Sequence, residues 1–236
     1  VSVLVPEYEH PPERTNRRLQ KLDHCRMLTE LTQVEARNVA IVDRLAECVA
    51  TGRQILALSD RRQHLTDIEA LLRAKSPPTL TAGLFVGGMK PAERASVVQR
   101  QVLLATYPMA AEALDVPSLS IVVLLTPKPN VVQSVARVMR GRGAAHAPLI
   151  VDVLDQYSMW HNFWFRRCAF YRQEGFLIVR PPSVNTDSDD DDRHACTHDA
   201  EEPPPSCAVA GPIRRNVAAS AVASGTVKKP LRRCPF

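Results

Sequence analysis

Along this chain the apolar positions fall into short continuous runs, and the stretches between them carry helical periodicity. The runs Ile55–Leu58, Leu84–Val86, Val102–Ala105, Ile121–Leu125 and Leu149–Val153 predict five strands. Between and after them, Gln63–Lys75, Pro91–Gln99, Met109–Leu114, Pro129–Arg140 and Gln156–Tyr171 place apolar residues at helical spacing. Two further helical patterns, Arg17–Thr29 and Val34–Val49, precede the first run, and the second closes at Gly52. Strands apolar on both faces, alternating with helices, imply an α/β fold: a mostly parallel sheet in three layers. Ligands of such sheets gather beyond the carboxyl ends of the strands. Those ends carry Ser59-Asp60, Gly87-Gly88, Thr106 and Thr126. The opening V-S-V-L-V alternates as well, and reads as the end of a strand or a linker belonging to an upstream segment.

The stretch Pro129–Arg140 has the most pointed pattern. Pro129 and Asn130 suit a helix entrance, Asn130 as a side-chain cap. At about 100° per residue, Gln133, Arg137 and Arg140 fall within roughly 60° of one another, with Val131, Val135 and Val138 opposite. Two arginines a turn apart repel unless an anion lies between them, and a phosphate fits the planar guanidinium fork. The same spacing also describes a solvated face on an ordinary amphipathic helix, which periodicity alone favours.

Charge and composition narrow the picture. Lys and Arg outnumber Asp and Glu, 30 to 25, and the whole surplus lies within residues 1–180, which suits a phosphate-bearing partner. No apolar run approaches the roughly 20 residues a membrane span requires. Six scattered Cys without a C-x-x-C pair read as reduced thiols of an intracellular protein. There is no secretory pattern, and a chain opening on Val reads as a fragment or processed piece. Residues 181–236 are rich in Pro and carry the acidic run Asp189–Asp192, a composition that predicts a disordered tail. His194, Cys196, His198 and Cys207 within it fit no standard zinc spacing, so no metal site is assigned.

Three ordered segments carry a family likeness: G-R-Q-I-L-A-L-S-D-R-R-Q-H-L, L-L-A-T-Y-P-M-A-A-E-A-L-D-V-P-S-L and Q-S-V-A-R-V-M-R. Together with D-V-L-D-Q-Y-S and R-R-C-A-F-Y further on, they resemble the second motor (RecA-like) domain of superfamily 2 helicases over about Gly52 to Val179. The likeness is to the type found in large DNA viruses and phages, poxviral transcript-release helicases among them. It implies that the segment around Ile55–Leu65, with Ser59 and Arg61, corresponds to motif IV and grips the nucleic-acid backbone. It also implies that Thr106 is the motif V hydroxyl on a strand phosphate, with Gly87 and Gly88 on the same side. Asp115, with Glu112 beside it, would approach the ATP ribose. Gln133, Arg137 and Arg140 would match motif VI, which reaches the γ-phosphate, although Ala136 stands where that motif usually has Gly. Trp160, His161, Phe163, Trp164 and Phe165 read as packing rather than base-stacking.

The chain has no G-x-x-x-x-G-K-[ST] loop and no D-E-x-[HD] segment, and Gly87-Gly88-Met89-Lys90 does not replace the former. The resemblance therefore implies half of an ATP-dependent helicase or translocase. Its ATP and Mg would be shared with an N-terminal ATPase domain in cis or in trans, and its substrate would be single-stranded nucleic acid, DNA favoured. The expected organisation is a lead-in at 1–50, the RecA-like domain at 51–180 and the tail at 181–236. The setting is intracellular, in a host nucleus or cytoplasm for a viral protein. The rival reading is a non-enzymatic nucleic-acid- or protein-binding module left from a split helicase.

Overall fold

Val, Ile and Leu dominate the central strands, and the sheet they build is covered on both sides. The structure is a computed structural model. It describes residues 1–16, 21–77, 79–113, 116–139 and 147–180, without the side chains of 16, 21, 112, 113 and 137–139. Six strands form the sheet: β1 (Ser2–Leu4), β4 (Gln54–Ser59), β5 (Ala82–Phe85), β6 (Val102–Thr106), β7 (Leu119–Leu124) and β8 (Leu149–Val153). Every pairing is parallel, in the order β1-β8-β7-β4-β6-β5. A small antiparallel pair, β2 (Thr15–Asn16) and β3 (Lys21–Leu22), lies apart from it.

Among the described residues seven helices accompany these strands: α1 (His24–Thr32), α2 (Glu35–Ala50), α3 (Arg62–Lys75), α4 (Pro91–Val98), α5 (Tyr107–Ala113), α6 (Val132–Met139) and α7 (Ser158–Gln173). Apolar stripes dictate their sides. Ile41, Val42 and Leu45 of α2 and Leu65, Ile68 and Leu72 of α3 share one core with Ile55, Val102 and Val123. Ala110 of α5, Val131 and Val135 at α6, and Trp164, Cys168 and Tyr171 of α7 share the other with Leu56, Leu103 and Val122. A third cluster joins Met27, Leu28 and Leu31 of α1 to Tyr157 and Trp160.

The five expected strands and the parallel three-layer arrangement are present. V-S-V-L-V does not end a strand of some other unit: Ser2–Leu4 pairs with Val151–Val153 as an edge strand of this sheet. Likewise α2 packs into the common core, so no gap in packing marks residue 50. The helix expected at Arg17–Thr29 begins instead at His24, where Asp23 caps it by accepting from the Arg26 amide. Residues 17–20, and the tail expected at 181–236 with its His and Cys, lie outside the described residues. Trp160 and Trp164 are buried as packing residues, His161 and Phe163 are half-buried, and Phe165 is exposed.

Candidate functional site

Because every strand runs the same way, the carboxyl ends stand at one edge. Ser59 is level with Thr106, and Leu58 with Leu124. From β4 the chain turns into α3 on one side of the sheet. From β6 and β7 it turns into α5 and α6 on the other. Loops that diverge to opposite faces at neighbouring strands make a topological switch point, the usual ligand position in such sheets.

Three loops meet there. The amide of Asp60, after β4, donates to Thr126 Oγ1, after β7, at 3.0 Å. Lys128 Nζ donates to Asp60 Oδ1 at 2.8 Å and lies 4.9 Å from the centre of the Tyr107 ring. Tyr107, at the start of α5, donates its hydroxyl to Thr126 O at 2.9 Å. Burial, then the charge of Asp60, pushes that phenol upward, so it remains a donor at any physiological pH.

The expected site residues fare differently. Thr106 ends β6 at this edge, half-buried, and Gly87 and Gly88 form the exposed turn after β5, Gly88 at φ +87°. Gln133 is exposed on the first turn of α6, whose amide at Val132 donates to the Asn130 side chain as the sequence predicts. Asp115 and Arg140, and the side chains of Glu112 and Arg137, lie outside the described residues.

Ser59 requires a correction. Its strand end is flanked by β6 and β7 and roofed by helices, so the side chain is fully buried and its oxygen is already engaged. Ser59 Oγ accepts the Arg61 amide at 3.1 Å and lies 3.0 Å from His64 Nδ1; His64 Nε2 is 3.0 Å from Asn38 Oδ1. Asn38 Nδ2 donates to Thr32 O, which fixes the amide and hence the chain of donors: Ser59 to His64, His64 to Asn38. Ser59 shapes the loop and does not offer a hydroxyl to a ligand. Arg61 is also engaged, donating from Nε to Thr29 Oγ1 and from Nη2 to Cys25 O. Burial first, and the charge of Arg37 second, push His64 down to about 3, so the imidazole is neutral.

Sequence reasoning missed four residues here: Lys128, Arg37, Asp155 and Asp152. Lys128 is flanked by two prolines directly after an apolar run, which is the signal that would have found it. Arg37 and Asp155 form a fully buried ion pair, Nε to Oδ1 at 2.7 Å and Nη2 to Oδ2 at 2.8 Å. Arg167 and Asp152 form a second, Nε to Oδ2 at 2.7 Å and Nη2 to Oδ1 at 2.9 Å. For each arginine, burial works against the charge, but the carboxylate and its hydrogen bonds win and hold the guanidinium above its usual range. Among the described residues no group of His, Cys, Asp and Glu is arranged to hold a metal.

Over 164 residues, 66% of the chain, the sequence is 31% identical to "Putative ATP-dependent RNA helicase L396" of Acanthamoeba polyphaga mimivirus. This chain is a helicase homologue. It spans about a third of that curated relative's length, 32%. No family model matches the homologue. Its fold is that of T4 UvsW, at a TM-score of 0.58 and 16% identity over 76% of this chain and 40% of the other. The isolated C-terminal domain of the DEAD-box protein Dbp5 aligns at a TM-score of 0.47 and 16% identity, over 62% of the homologue and 83% of that chain. The RecA-like arrangement expected from the sequence, a parallel six-stranded sheet with flanking helices, is the fold shared with T4 UvsW. No helix among the described residues of this chain is long and apolar enough to cross a membrane.

Proposed function

We propose that this chain is the C-terminal motor half of an ATP-dependent nucleic-acid helicase or translocase. The observation that supports it best is convergence: the segments after β4, β6 and β7 that resemble motifs IV, V and VI meet at one sheet edge, at its switch point. In this reading the strand ends around Thr106, Gly87 and Gly88 take the backbone of a single strand, with Lys128 as an added cation and DNA as the favoured form. Gln133, Arg137 and Arg140, on the helix that leaves β7, face a partner ATPase domain. ATP and Mg sit between the two domains, with Glu112 and Asp115 near the ribose.

The chemistry follows from the residue types. Charge developing on a transferring γ-phosphoryl needs a fixed cation, and an arginine finger contributes about 10³–10⁵ in rate. At about 1.36 kcal/mol per tenfold, that is roughly 4–7 kcal/mol of barrier. An ammonium in its place lacks the planar fork.

The test uses this chain reconstituted with its partner ATPase domain, in cis or in trans. Arg140→Ala should lower nucleic-acid-stimulated kcat by about 10³ or more, with nucleic-acid affinity in the absence of nucleotide unchanged. This chain alone should show no stimulated ATPase above background. A full-speed, folded Arg140→Ala protein overturns the motor reading and leaves the binding-module rival. Competition between DNA and RNA strands decides the preference.

A further inference from the structure

The loop from Leu125 to Lys128 joins β7 to the Pro129-Asn130 turn that starts α6, and it is gripped from both faces of the sheet. On the α2 side, Arg37 is bidentate on Asp155 through Nε and Nη2, and the same Nη2 donates to Leu125 O at 2.7 Å, leaving Nη1 buried without a partner among the described residues. Tyr8 OH donates to the same Asp155 Oδ1 at 2.7 Å. On the α7 side, Arg167 Nη1 donates to Lys128 O at 2.7 Å while Nε and Nη2 are bidentate on Asp152. Tyr171 OH donates to Asp152 Oδ2 at 2.8 Å. Arg37, Asp155, Asp152 and Arg167 are all buried. Burial, then the nearby carboxylate, raises both tyrosines, which stay protonated as donors.

The two units are built alike. In each, an aspartate from β8 or the residues just after it orients a guanidinium, a tyrosine supplies a further donor to that aspartate, and the guanidinium also holds a backbone carbonyl of the loop, Arg167 through its free Nη1 and Arg37 through the Nη2 it shares with Asp155. Burying two ion pairs is a poor route to stability, because well-packed apolar residues do as well or better. What the arrangement supplies is position. A guanidinium presents donors in a rigid fork, so anchoring it on a carboxylate fixes where its third contact lies. The two carbonyls held lie three residues apart, immediately before α6.

We propose that Arg37 and Arg167 are positioning residues, each braced by an aspartate and a tyrosine, that fix the loop launching α6 and so set where the helix presents its polar face. The structural part stands on these contacts alone; the kinetic part rests on the motor reading above. A misplacement of about 1 Å in a group acting across a domain cleft costs about a hundredfold in rate.

Paired apolar replacements test this without leaving a buried charge unpaired: Arg167→Met with Asp152→Leu, and Arg37→Met with Asp155→Leu. Hydrogen exchange of each variant of this chain is compared with wild type, residue by residue. Amides of α6 should exchange roughly tenfold faster or more, while those of β4, β6 and β7 keep their protection. Arg167→Lys should reproduce the effect, since one ammonium cannot hold the carboxylate fork and the carbonyl together. In the chain reconstituted with its partner ATPase domain the same variants should lower kcat by about a hundredfold, with KM for ATP and nucleic-acid affinity near wild type. Unchanged exchange in α6, or a loss of protection spread evenly over the sheet, overturns the positioning role. Loosened α6 with wild-type kcat overturns its catalytic consequence. A wild-type reconstituted pair with no ATPase sinks the motor reading instead, and the exchange result still decides the structural part.

Discussion

Lowering the pH from 7 to 5 should destabilise the fold, because the unfolded chain takes up a proton that native His64 refuses. His64 is 1% exposed, accepts from Ser59 and donates to Asn38, and among the described residues the charge that acts on it is that of Arg37. Unfolded it takes a proton near the ordinary 6.5; folded, its value is about 3. Between those two values the unfolded chain binds a proton that the native state does not, so stability falls as pH falls, by about 1.36 kcal/mol per pH unit. From pH 7 to pH 5 about one and a half units of that window are crossed, giving roughly 2 kcal/mol of destabilisation from this residue. The measurement is denaturant unfolding of wild type and His64→Gln at both pH values. His10 and His24, whose burial also lowers them, titrate in both proteins and cancel in the comparison. The stability difference between wild type and variant should shift by about 2 kcal/mol in the variant's favour on acidification. A difference that stays constant from pH 7 to pH 5 refutes a buried neutral imidazole behind Ser59.

Two further outcomes are expected. Gly88→Ala meets no atom within 4 Å but must hold φ at +87°, so it should lose about 1–2 kcal/mol in thermal or denaturant unfolding through backbone strain alone. Lys128→Ala should weaken binding of a single-stranded oligonucleotide to this chain and reduce the slope of log affinity against log salt by about 0.7, with little dependence on base sequence; an unchanged slope removes Lys128 from the interface.

Much of the fold was legible because parallel strands, apolar on both faces, leave a strong local signature. Ile55–Leu58 and Ile121–Leu125 could only be buried strands once helices alternated with them. The ends of elements were less visible. Asp23 stops the helical pattern at Arg17–Thr29 from starting early, a cap whose role depends on where the chain turns. Of the candidate site, Thr106 and the Gly87-Gly88 turn stand at the expected edge. Ser59 does not serve as expected, because the fate of a strand-end hydroxyl depends on which helix crosses over it, and α3 brings His64 there. The buried ion pairs left a trace that periodicity discards. Arg37 lies on the same stripe as Ile41 and Leu45, Arg167 on that of Trp160, Trp164 and Tyr171, and Asp152 inside an apolar strand. A charge on a buried stripe announces a partner, but the partners are 118 and 15 residues away.

That trace bears on what the edge is for. A module that merely binds a nucleic-acid backbone needs cations at the strand ends, and long flexible lysines on a surface suffice for that. A helix meant to complete a reaction on another domain needs its residues held to a fraction of an ångström, because misplacement is translated directly into lost rate. The β7–α6 loop has the second kind of construction: two guanidiniums, each fixed by its own carboxylate, hold consecutive parts of one backbone turn from opposite faces of the sheet. Replacing those groups by apolar ones would satisfy the core equally well. Their geometry is intelligible as a way to hold α6 in place, and that requirement comes from the motor reading and not from its rival.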